Sequence, residues 1–172
     1  LQFLALTASR SGEIRGMKWS EIHQSTEDYA RQVWIIPKER MKAKSEHRVP
    51  LTPHMIDFLD TLPRHKTSDL VFHSDKGTQL SDMTLSAAMK RIHETDVENG
   101  GNGFIDFTSK NRAVPHGLRS TFRNWAAEYD YDSDMSEIQL AHKVGNAITR
   151  AYLRTDLMEK RRQMMISWGE FL

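Results

Sequence analysis

The 172-residue sequence contains no cysteine. That excludes disulfides, thiolate metal ligands and cysteine nucleophiles, and it is compatible with a reducing compartment. No apolar run approaches the ~18 residues that a membrane-spanning helix needs. The sequence also lacks a glycine-rich loop followed by Lys-Ser or Lys-Thr, so binding of a nucleoside triphosphate is not expected. Paired carboxylates of the kind a two-metal nuclease uses are missing as well. Repeats and low-complexity tracts are absent.

Net charge is small too: 24 Lys and Arg stand against 23 Asp and Glu, leaving +1. The total hides segregation. Residues 1–50, 51–106, 107–125, 126–139 and 140–172 carry +3, −4, +4, −5 and +3 in turn. Three positive segments can converge into one basic face suited to a polyanion, although ordinary solvated charge gives the same tally. With 38% hydrophobic residues the composition is that of a folded chain, and the length suits one domain. Leu1 opens inside a helical pattern (LQFLALTA), so the sequence reads as a fragment whose N-terminal partner is missing.

Hydrophobic spacing predicts a mainly α protein with one small antiparallel β-sheet, an α+β class. A first helix is expected over residues 1–18, on Leu1, Leu4, Ala5, Ile14 and Met17, with Arg10 near its middle at a polar stretch able to interrupt it. Val33–Ile36 and Arg48–Leu51 read as strands around the charged turn Lys38–His47. A helix follows Pro53, and Leu70–His73 is extended. Ser81–His93 is a helix capped by Ser81 or Asp82, with Leu85, Ala88, Met89 and Ile92 on one face. Pro115 starts a helix continued by Leu118, Phe122, Trp125 and Ala126. Short helices are expected at Met135–His142 and Asn146–Arg154. The last, Leu157–Phe171, offers Met158, Met165, Trp168 and Leu172 for an apolar face.

His116 and Arg119 stand at i and i+3, on one helix face near an N-terminus whose free N–H groups favour an anion. A capping histidine with a surface arginine would look the same. Arg10 in an apolar context needs a partner, either Glu13 or an anion. The turn Lys38–Lys44 is rich in ammonium groups that reach across a site or are simply solvated. Tyr152, between Ala151 and Leu153, suits a core position or a nucleophile.

In the order Arg10, Lys42, His116-x-x-Arg119, His142, Tyr152, these residues resemble the tyrosine recombinase (phage integrase) family across nearly the whole chain. The segment Thr7–Trp19 is similar to the family's first arginine motif, including Glu13. Lys42, ahead of Val49-Pro50-Leu51, matches the β-hairpin lysine, with Lys44 as the nearest competitor. Leu140-Ala-His142 matches the second histidine box and Tyr152 the nucleophile. The His-to-Tyr spacing is one longer than in many members and resembles prophage-type integrases that end in a Tyr-x-Arg segment.

The resemblance implies one catalytic domain over residues 1–172, without the family's core-binding and arm-binding domains. It implies cleavage and rejoining of DNA through a 3′-phosphotyrosine on Tyr152, for integration or excision of a mobile element. Arg10 and Arg119 would clamp the phosphate oxygens, with His142 donating a further hydrogen bond. His116 would take the tyrosine proton or bond the phosphate, and Lys42 would protonate the leaving 5′ oxygen. No metal or cofactor is implied. The implied partners are double-stranded DNA attachment sites and other protomers in a tetrameric synapse, in the bacterial cytoplasm at the nucleoid. The C-terminal helix could pack on a neighbouring protomer or on its own core. Type IB topoisomerase-like resealing and a non-catalytic, DNA-binding prophage remnant are the competing readings.

Overall fold

The first apolar stretch forms two helices, α1 (Gln2–Thr7) and α2 (Ser11–Arg15), in a computed structural model that describes residues 1–23, 32–144 and 156–172. The single helix expected over residues 1–18 is therefore corrected. Ala8 turns left-handed (φ 52°), and its N–H bonds back to the Ala5 carbonyl. Arg10 is then extended (φ −80°, ψ 150°), and its N–H donates to Glu13 Oε2 at 2.7 Å. That bond gives α2 its own start, and Gly12 inside the pair weakens any continuous helix.

After a short 3₁₀ turn at Trp19–Glu21 the chain forms an antiparallel sheet, β1 (Ile22–His23), β2 (Val33–Ile36) and β3 (His47–Pro50), in that spatial order. Trp34 pairs with Ile22 and Val49, and Ile36 pairs with His47. β2 matches the expectation. β3 begins one residue earlier than expected, and the two-residue β1 is too short to leave an alternating pattern. Trp34 is fully buried, with its indole N–H on Glu21 Oε2 at 3.0 Å. Arg40, in the β2–β3 turn, pairs with Glu21 and donates to the Glu13 carbonyl. The hairpin is thereby tied to the arginine segment.

α3 (Pro53–Asp60) takes Pro53 at its start, where a missing N–H costs nothing, and buries Met55, Ile56 and Leu59. α4 is Thr84–Glu98, later and longer than the expected Ser81–His93. Neither Ser81 nor Asp82 caps it; the N-cap is Met83. Thr84 N–H is still engaged by the Ser81 carbonyl, so regular helix begins a turn later. Of its expected apolar face only Leu85 is buried, and Ile92 is exposed.

α5 (Gly117–Glu128) begins two residues after Pro115 and buries Arg119, Phe122, Trp125 and Ala126, one stripe at helical spacing. α6 (Ser133–Gln139) is capped by Asp132, whose Oδ1 accepts from Met135 N–H at 3.0 Å. It stops short of the expected His142, because Ala141 is left-handed (φ 51°). α7 (Met158–Phe171) packs on α1, α3, α6 and β3 of its own chain. Met164, Met165 and Trp168 are buried, Trp168 against Phe122 and Trp125, while the expected Leu172 is exposed. The α7 stripe also buries Arg161 and Arg162, which apolar spacing does not reveal. The expected helix Asn146–Arg154 lies outside the described residues. Among the described residues, no helix is long and apolar enough to cross a membrane.

Candidate active site

The break between α1 and α2 faces the start of α5, and a cleft of about 300 Å³ opens where they meet the hairpin. Ser9, Arg10, Ser11, Lys42, Pro115, His116 and Arg119 line it. Four of the six anticipated residues thus share one cavity, although they come from three distant segments.

Arg119 is the most tightly held. Its side chain is 4% exposed, with Nη1 donating to the Ala8 carbonyl and Nη2 to the Leu140 carbonyl, both at 2.6 Å. The left-handed turn at Ala8 is therefore what brings its carbonyl to the guanidinium. Burial, followed by the nearby Arg10 charge, lowers the Arg119 pKa to about 10, against the opposing pull of Glu13 and Glu137. The group stays cationic at neutral pH. Its Nε is buried and has no hydrogen-bond partner among the described residues. A desolvated guanidinium satisfied by neutral carbonyls and beside a second arginine keeps uncompensated charge, the condition for holding an anion.

Arg10 is partly exposed and paired with Glu13, Nη1 to Oε1 at 2.9 Å. Glu13 is 4% exposed and receives both the backbone N–H and the guanidinium of Arg10. One carboxylate thus sets the position of Arg10 and neutralises only one of the two arginines. Lys42 follows Met41, which is buried and anchors the turn to the core. That anchor sets Lys42 on the cleft. Lys44, left-handed and exposed, is not among the lining residues. His116 is the N-cap of α5, exposed to the cleft three residues before Arg119.

His142 joins through Arg119: its Nε2 lies 3.2 Å from Arg119 Nη2. Its Nδ1 lies 2.6 Å from Glu137 Oε2, and Glu137 Oε1 accepts from Arg123 Nε at 2.6 Å. Burial, the largest single influence on Glu137, raises its carboxyl pKa. Hydrogen bonds and charges from His142 and Arg123 together outweigh it, leaving the carboxyl below its ordinary value. His142 also lines a larger cleft of about 550 Å³ with Met41, Ala43, Ser45, Glu46 and His47 of the hairpin and with Arg161. Tyr152 lies outside the described residues. Among the described residues, no group of three or more His, Asp or Glu side chains is arranged to hold a metal ion.

Sequence reasoning passed over several supporting residues. Gln139 donates from Nε2 to the Thr7 carbonyl at 3.1 Å, and its Oε1 accepts from Arg161. Arg161 also reaches the Arg48 carbonyl at 2.6 Å, so α7 braces both the hairpin and the end of α6. His47 is buried, and its Nε2–H donates to the Gln139 carbonyl at 3.2 Å. Burial, then the Arg161 charge, depresses the His47 pKa to about 3, so its imidazole is neutral. The one available signal was charge inside an apolar stripe, at Arg161 and Arg162.

The sequence matches the phage integrase family over residues 1–158. The integrase of Shigella phage Sf6 is 28% identical over 173 residues, covering 98% of this chain and 40% of that protein. Prophage integrase IntA of Escherichia coli is 31% identical over 170 residues, covering 97% of this chain and 36% of that one. The chain therefore spans 36–40% of the length of these two relatives. Among solved structures, XerA recombinase superposes with a TM-score of 0.59 at 19% identity, over 94% of this chain and 55% of that one. A lambda integrase tetramer bound to a Holliday junction gives 0.58 at 20% identity, over 90% and 41%. At such identities the likeness is one of fold. On the family match, the chain belongs to the phage integrase family, the tyrosine recombinases.

Proposed function

We propose that residues 1–172 form the catalytic domain of a site-specific DNA recombinase that cuts and rejoins strands through a 3′-phosphotyrosine. The observation that carries this reading is the shared cleft of Arg10, Lys42, His116 and Arg119, with His142 on Arg119. Its excess of donors and positive charge suits a phosphodiester, whose non-bridging oxygens gain charge at the transition state. Tyr152 Oη attacks phosphorus, its proton passing to His116, and the bond to the 5′ oxygen breaks as Lys42 protonates that oxygen. The phosphotyrosine keeps the diester energy until a 5′ hydroxyl of another strand attacks and restores the tyrosine. The arginines and the lysine supply the charge, so the reaction as written draws on no metal ion.

The proposed substrates are double-stranded attachment sites, and the proposed partners are further protomers assembled as a tetramer on DNA. The integrase names of the relatives support integration or excision of a mobile element; the proposed place of that reaction is the nucleoid of the bacterial cytoplasm. The test is covalent trapping. The complete recombinase is incubated with a nicked attachment-site duplex in EDTA and run on a denaturing gel. A shifted band that disappears in Tyr152→Phe is the expected result. No band despite measured DNA binding would favour a binding-only protein.

A further inference from the structure

We propose that Glu137 is a positioning residue that seats His142 at the phosphate site. The inference rests on the recombinase reading and adds a residue to it. His142 lies beyond the end of α6, on a segment where little regular structure holds it. Two contacts bring it back. Ala141, in the left-handed conformation, reverses the chain, and His142 N–H donates to the Glu137 carbonyl at 2.9 Å. The Glu137 carboxylate then takes Nδ1 at 2.6 Å.

That contact uses one ring nitrogen and decides what the other can do. With Nδ1–H committed to the carboxylate, Nε2 is the nitrogen presented to Arg119, 3.2 Å away. A neutral ring accepts there from Arg119. A phosphate oxygen at that place would meet Nε2, the ring nitrogen that the carboxylate leaves unused. Glu137 is itself fixed. Arg123 Nε engages its other oxygen, and Asp132 caps the helix on which it stands. Arg123 is mostly exposed, so as a surface ion pair it adds little stability. Its geometric effect is to leave only Oε2 for the imidazole.

The test is a double-mutant cycle in the complete recombinase, reading the single-turnover rate of covalent adduct formation on a nicked duplex, with DNA affinity measured in parallel. Glu137→Ala is expected to slow adduct formation about tenfold to a hundredfold, as loss of a residue that orients a histidine does. DNA affinity should stay within about twofold, because Glu137 is engaged by His142 and Arg123 and does not line the cleft of Arg10 and Arg119. Glu137→Gln keeps an oxygen for Nδ1–H and should recover most of the rate. The decisive arm is the His142→Ala background, where Glu137→Ala should add less than about a twofold loss. An equal loss in both backgrounds, or no loss in the wild-type background, would overturn the proposal and leave the recombinase reading intact. Absence of any adduct from the wild-type protein would overturn both.

Discussion

Two sides of the same cleft are built in opposite ways. Arg119 is buried, with both terminal nitrogens on backbone carbonyls from α1 and from the end of α6. Lys42, across from it, is an exposed side chain next to a single buried anchor, Met41. The difference follows from the proposed chemistry. A group that stabilises charge must already point at it, since reorganisation during the reaction would cancel the gain. A group that hands over a proton needs reach and solvent exchange more than confinement. Rigidity here is concentrated where charge develops.

Arg119→Lys should break the comparison most severely. One ammonium cannot replace a guanidinium that spans two backbone carbonyls, so cleavage should fall by about a hundredfold or more. DNA binding at low salt should be largely kept, and a rate measured alongside an affinity checks both. On the exposed side, Lys42→Ala should slow cleavage by roughly a hundredfold or more, the usual scale for a lost general acid. Lys44→Ala should change it by less than about threefold, and comparing the two on one substrate separates cleft position from mere charge.

His47 joins the two sides, since it starts β3 and donates to the Gln139 carbonyl at the end of α6. Its folded pKa of about 3 lies below the ordinary value of 6.5. The unfolded chain therefore binds the extra proton first. The stability that this neutral imidazole represents is fully present above pH 6.5 and is lost as pH falls toward 3. Between those limits the loss is about 1.4 kcal/mol per pH unit. Melting temperatures between pH 7 and pH 5 should decline for the native protein, and less steeply for His47→Asn. Asp132→Ala, which removes the α6 cap, should cost only about 1 kcal/mol by denaturant titration.

Most elements could be read from spacing because their buried stripes are long. α5 shows Phe122, Trp125 and Ala126 at helical intervals, and β2 is four residues of Val, Trp and Ile. What escaped depends on how helices end. Left-handed residues at Ala8 and Ala141 are alanines, not the glycines that advertise such turns, so tertiary bonds to their neighbours decide them. Those two turns bring the Ala8 carbonyl to Arg119 and Glu137 to His142. The order of Arg10, Lys42, His116, Arg119 and His142 is what singled them out, and the first four share the cleft. Their supports were not. Glu137 stands five residues before His142, a spacing that means nothing on a continuous helix. Arg161, fully buried, looks like one more charge in a basic stretch until Gln139 and the Arg48 carbonyl are found around it.

The most direct test of this division of labour uses a substrate whose scissile 5′ oxygen is replaced by sulfur. A thiolate leaves without a proton, so the general acid becomes dispensable while the charge clamp does not. Lys42→Ala should then cleave within about tenfold of the native rate, and Arg119→Lys should remain about a hundredfold or more impaired. Equal rescue of both variants, or rescue of neither, would contradict the assignment of a proton to one side of the cleft and of charge to the other.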